Sequence, residues 1–88
     1  MRGIYNSLKT RALAAFENRG WLSPTAWAIL ADFHPARASY TYLGRLYRWK
    51  LLDRSRDSHG LLLYRLNARG TQRLLWLRRR SSNQQVRP

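Results

Sequence analysis

Three features of the sequence predict an α+β fold, mostly helical. Apolar residues recur at helical spacing through the first half of the chain and again after Asn67. Ser23-Pro24 is a helix-start signal, a capping hydroxyl followed by a proline at the first helical position. Two short apolar runs then flank the polar, glycine-ended stretch Asp57-Ser58-His59-Gly60, the pattern of a β-hairpin. At 88 residues the chain holds one small domain.

The elements follow in order. Tyr5, Leu8, Ala12, Ala15 and Phe16 define the apolar side of a first helix, which Gly20 is expected to stop. Trp21-Leu22 is a short extended link. The second helix runs through Trp27, Leu30 and Ala31 and ends before Pro35, because the residue preceding a proline is pushed out of helical geometry. A third helix is expected from Pro35 or Ala36 to Trp49 or Lys50. At about 100° per residue, Ala36, Ser39, Leu43, Leu46 and Tyr47 share its inner side. Arg37, Thr41, Arg45 and Arg48 fall opposite, with Ala38 beside them and Tyr40 and Gly44 on the flank. Gly44 costs a helix about 1 kcal/mol against alanine, so a close neighbour, either another helix or a phosphate, should justify it.

Leu51–Arg56 and Leu61–Leu66 form the hairpin, with Leu62, Tyr64 and Leu66 on one face. Asn67 caps a fourth helix expected over Ala68–Arg79. The domain is thus expected over residues 1–80, with a polar, disordered tail over 81–88. Trp21, Trp27, Trp49, Phe16 and Leu30 are assigned to the core.

Composition narrows the function. Seventeen Lys and Arg against four Asp and Glu leave a net charge of +13, and fifteen of the seventeen are Arg. Arginine's planar fork matches phosphates and guanine edges in a way that lysine does not. The absence of cysteine removes disulfides, thiolate nucleophiles and Cys-based zinc sites. No apolar run approaches the roughly 20 residues of a membrane span, and no leader pattern opens the chain, which predicts a cytoplasmic protein without membrane contact.

Catalysis has little to work with. Glu17, Asp32, Asp53 and Asp57 are scattered rather than paired, and His34 and His59 have no metal-binding spacing. Asp57-Ser58-His59 is turn chemistry rather than a triad. The glycines make neither a Walker loop nor a dinucleotide fingerprint. Neither a catalytic set nor a metal, a cofactor or a small-molecule effector is expected.

The order helix, helix–turn–helix, hairpin, helix resembles a winged helix-turn-helix domain. The stretch Leu43-Gly-Arg-Leu-Tyr-Arg-Trp-Lys-Leu-Leu-Asp-Arg54 looks like a recognition helix entering its wing. Tyr64-Arg-Leu-Asn-Ala-Arg-Gly70 is similar to the Y-x-L-T-x-x-G segment that closes the wing in MarR- and PadR-like bacterial regulators. Gly20-Trp21-Leu22-Ser23 resembles the link into the second helix. The likeness covers roughly residues 8–78. Lys50 departs from the glycine usual at the helix-to-wing turn, and Asn67 from a threonine whose capping chemistry it keeps. The larger members carry ligand-binding or long dimerisation segments that have no counterpart in this sequence.

The resemblance implies that the third helix enters the major groove of double-stranded DNA, and its cationic outer side agrees independently. Arg37, near the helix start, is the first candidate for a base contact, and Thr41 the second. Arg45 and Arg48 are assigned to the phosphate backbone. Ala38 and Tyr40 lie beside them, and the wing offers Arg54, Arg56 and His59. The leading expectation is a sequence-specific DNA-binding protein, a small bacterial transcriptional regulator. A winged-helix module for RNA or protein assembly, and a phage or plasmid replication or recombination factor, are the alternatives. A homodimer is expected through Leu75 and Trp76. With Leu74 and Leu77 facing the core, Trp76 points about 200° from Leu74, and one small domain does not wrap a helix on all sides.

Overall fold

Ser23 and Asn67 open two helices as the sequence predicts. Ser23 Oγ accepts from the Ala26 amide at 3.2 Å, and Asn67 Oδ1 from the Gly70 amide at 2.8 Å. The computed structural model describes the backbone of residues 2–86 and the side chains of residues 7–80. Tyr5 therefore lies outside the described side chains. The elements are α1 (Arg2–Ala14), α2 (Pro24–Ala31), a 3-10 turn (Ala36–Ala38), α3 (Ser39–Arg48), β1 (Leu52–Arg56), β2 (Leu62–Leu66) and α4 (Ala68–Val86).

Three helix boundaries differ from the expectation, each for a local reason. Regular α1 ends at Ala14, and the next residues close tighter turns through Phe16 N–H to Leu13 O and Glu17 N–H to Ala14 O. Asn18, with φ 59°, takes the left-handed position expected of Gly20. The segment after Pro35 starts as a 3-10 turn held by Ser39 Oγ donating to Ala36 O, so Ala36 is rotated out of the inner stripe and exposed. Finally, α4 continues to Val86 where a disordered tail from Ser81 was expected. No glycine or proline interrupts residues 71–87, and Gln and Arg are good helix formers.

The core centres on Trp27. Its indole Nε1 donates to Ala12 O at 3.0 Å, and its ring meets Phe16, Phe33 and Tyr42 at centroid distances of 6.4, 5.0 and 5.8 Å. Leu13, Leu43, Leu46, Leu52, Tyr64, Leu74 and Leu77 complete it. Burying an indole of this kind is worth at most about 5 kcal/mol. Ser39 is buried too, its hydroxyl satisfied by that same bond to Ala36.

Three residues assigned to the core lie at the surface instead: Trp21, Leu30 and Trp49, the last 47% exposed. Eight-residue α2 is apolar almost all round, yet packs only through Pro24, Trp27, Ala28 and Ala31, which leaves Leu30 and Ile29 (77%) outside. Trp21 lies under the Arg65 guanidinium at 4.4 Å, and Trp49 under the Lys9 ammonium at 4.7 Å.

β1 and β2 pair antiparallel, with Leu52 opposite Leu66 and Arg56 opposite Leu62. Leu22 joins them through reciprocal 2.8 Å bonds with Tyr64, which ties the α1–α2 link to the middle of β2. Lys50 makes the turn out of α3 in the left-handed region, at φ 65°. Its amide bonds to Tyr47 O and that of Leu51 to Leu46 O, at 2.9 and 3.1 Å, which is the hydrogen-bond pair of a Schellman turn. Gly70 is required for contact rather than conformation. A Cβ there would collide with the Leu51 carbonyl and the Leu66 side chain.

Candidate nucleic-acid interface

Leu43 and Leu46, fully buried, fix the rotation of α3, and the opposite side therefore faces outward. Tyr40, Thr41, Arg45 and Arg48 are exposed there, Arg37 projects from the preceding 3-10 turn, and Ala38 is half-buried beside it. Among the described residues, Arg37, Arg45 and Arg48 form no ion pair or hydrogen bond through their side chains. Gly44 has no atom within 4 Å of where a Cβ would sit, so no protein neighbour accounts for it. Of the two neighbours its presence invited, no close helix is found among the described residues.

The hairpin treats its basic residues differently. Arg54 stacks its guanidinium on Tyr47 at 4.2 Å, tying β1 back to α3. Arg56 donates to Gly60 O at 2.8 Å and helps to close the tip. His59 is exposed at that tip. Asp57 organises the turn, its carboxylate accepting from the amides of His59 and Leu61 at 2.8 and 2.9 Å, while Gly60 supplies φ 79°. The Asp-Ser-His stretch is a turn, as its sequence predicts.

The other acids are engaged as well. Glu17 takes a two-pronged contact from Arg78, both prongs 2.7 Å, which holds its carboxyl below the ordinary range chiefly through those hydrogen bonds. Asp53 pairs with Arg65 across the strands at 3.0 Å, and Asp32 lies 2.8 Å from His34 Nε2. All four carboxylates thus hold turns or elements together, and none is spent on the outer side of α3. Among the described residues no three metal-ligating side chains meet, and no helix is long and apolar enough to cross a membrane.

On α4, Leu74 and Leu77 face the core as expected, and Leu75 and Trp76 stand 50% and 44% exposed. Arg73 and Arg80 flank the Trp76 ring at 5.4 and 5.2 Å. One feature went unread in the sequence: an open trough of about 330 Å³ lined by Lys9, Trp49, Leu51, Arg69 and Arg73. Only the i, i+4 spacing of Arg69 and Arg73 hinted at it, since the remaining lining comes from α1 and the turn after α3.

A helix-turn-helix followed by a two-stranded hairpin and a closing helix is a winged helix-turn-helix fold. It is similar to the structure of a MarR-family transcriptional regulator from Silicibacter pomeroyi, at TM-score 0.69 and 22% identity, over 99% of this chain and 72% of that one. No family model and no curated protein matches the chain. At this identity the likeness establishes the fold, and function rests on the site.

Proposed function

We propose that this protein binds double-stranded DNA sequence-specifically, as a small cytoplasmic transcriptional regulator with α3 in the major groove. The observation that carries this reading is the outer side of α3. Arg37, Arg45 and Arg48 stand there with no side-chain hydrogen bond or ion pair among the described residues, while the four Asp and Glu are engaged elsewhere. Arg37, in the 3-10 turn that leads into the helix, reads a base edge with Thr41 as second reader, and Arg45 and Arg48 hold phosphates. The open space at Gly44 supports close approach of the DNA backbone, the remaining explanation for a glycine at this point. Arg54, Arg56 and His59 extend the surface onto the wing, Arg54 and Arg56 with part of each guanidinium already used. This reading needs no metal, cofactor or catalytic group. The likeness to the regulator named as MarR-family supports it at the level of fold.

The functional unit is a homodimer joined through Leu75 and Trp76. Covering a large aromatic is worth a few kcal/mol at about 25 cal/mol per Å², enough to favour a partner. Sedimentation at micromolar concentration should give twice the 10.4 kDa chain mass, reduced to one chain by Trp76→Glu. A single-chain mass unchanged by that substitution ends the dimer reading. The DNA reading is tested by selection from a random duplex pool. An enriched motif is expected, palindromic if two chains bind. Binding without enrichment would turn the assignment toward RNA or an architectural role.

A further inference from the structure

We propose that the trough between α1, the turn after α3 and the start of α4 is a second nucleic-acid surface, one that binds a single strand. A phosphate sits among Lys9, Arg69 and Arg73, and a base packs on Trp49. Neither half of this rests on the duplex reading of α3, because no lining residue belongs to the outer side of that helix.

The cations point to an anion. Lys9, Arg69 and Arg73 converge on one depression that no acid lines, in a chain whose four carboxylates are all engaged elsewhere. Burial, and next the charge of Arg73, pulls the Lys9 ammonium below its ordinary range, and an anion beside both would offset the second of these. The shape points to a strand rather than a small molecule. The depression is open, and a second open one of about 320 Å³ on α4 shares its Arg69 and Arg73. Small-molecule sites are enclosed and mostly apolar, whereas a phosphodiester chain lies along a surface of repeated cations.

Exposed indole decides between one strand and two. A duplex keeps its bases stacked inside, so only an unpaired base reaches an aromatic ring on a protein surface. Trp49 is the ring assigned to it, carrying one cation and 47% exposed, whereas Trp76 is flanked by two guanidinium groups.

The test is fluorescence anisotropy of the full chain with a short labelled oligo-dT, beside a labelled duplex. Arg69→Glu with Arg73→Glu should weaken oligo-dT binding at least about tenfold, and Trp49→Ala about tenfold, with Trp49→Phe close to the parent. Duplex binding should change less than about threefold in each, since phosphate contacts by α3 are intact. Arg19→Glu with Arg79→Glu makes the same charge change outside the trough and should cost oligo-dT binding less than about threefold. Melting curves establish that each variant is folded, and the charge variants decide the matter should Trp49→Ala fail to fold. The proposal is overturned by an equal loss in the control pair, which means diffuse electrostatics. It is overturned equally if Arg45→Ala with Arg48→Ala abolishes oligo-dT binding. Displacement of oligo-dT by inorganic phosphate at similar concentration makes the trough a small-anion site and also ends the strand reading.

Discussion

Helices α3 and α4 both carry rows of arginine, and the structure uses them in opposite ways. On α4, Arg78 grips Glu17 with both prongs, and Arg73 and Arg80 lie against Trp76. On α3 and the turn before it, Arg37, Arg45 and Arg48 make no side-chain hydrogen bond or ion pair among the described residues. Their glycines differ in the same sense. Gly70 is pressed against the Leu51 backbone, and Gly44 faces empty space. A charge count does not separate these helices. What separates them is which charges a carboxylate has already satisfied: Arg78 of α4 is held by Glu17, whereas Arg69 and Arg73 at the start of α4 line the trough and the α3 row stays open to a duplex.

The largest effect that would break this contrast is the response to salt. If each of two chains neutralises about five phosphates, duplex affinity should fall with a log–log slope near −9, from about −0.9 per phosphate. A slope shallower than about −3 is incompatible with an arginine-bearing DNA face. Removing the arginines of this face one at a time sharpens the picture. Arg37→Ala should cost about 1–3 kcal/mol at the preferred sequence and flatten the preference there. Arg48→Ala should weaken all duplexes alike, and Arg78→Ala should leave duplex binding almost unchanged. Identical behaviour of Arg37→Ala and Arg48→Ala on selected and random DNA would refute the division between reading and holding.

The glycines come next. Gly70→Ala drives a methyl into the Leu51 carbonyl and should destabilise the fold by about 3 kcal/mol or more, lowering the melting temperature by over about 10 °C. Gly44→Ala meets no atom, so it should stabilise α3 by up to about 1 kcal/mol while weakening duplex binding. Stability and binding moving together at Gly44 would remove the phosphate from that position.

The smallest effect concerns Glu17 and Arg78. The folded-state value of Glu17 is lowered from its ordinary 4.5, chiefly by hydrogen bonds from Arg78, so its contribution is present above that value and is lost as pH falls through the lowered one. Both side chains are solvent-exposed, so the contribution is modest. The gap in melting temperature between the parent and Glu17→Gln should be open at neutral pH and close on acidification below 4.5. A gap constant over that range contradicts the pairing.

Much of the architecture was legible because it is locally encoded. A serine before proline, an asparagine before a helix, a proline that stops one, and Asp57 and Gly60 at a hairpin tip act through backbone atoms a few residues away. The cationic side of α3 was legible for the same reason, since helical periodicity places Arg45 and Arg48 opposite Leu43 and Leu46, whereas Arg37 falls in the 3-10 turn that the wheel did not foresee. Periodicity was a poorer guide to which aromatics are inside. Trp27 and Trp49 look alike as sequence, yet one is fully buried beside Phe16 and Tyr42 and the other half exposed beneath Lys9.

Taken alone, the sequence determined the order of the elements, the two capped helix starts and the side of α3 that carries its arginines. Each of these is a short-range property of backbone geometry and side-chain period. Only the tertiary structure decided where the carboxylates are spent, why Gly70 is a glycine, and that Lys9, Trp49, Arg69 and Arg73 share one trough. Those outcomes depend on how α1, the hairpin and α4 close on one another. Contacts between residues far apart in the chain carry no periodic signature, because they are fixed by the shape of the packed core.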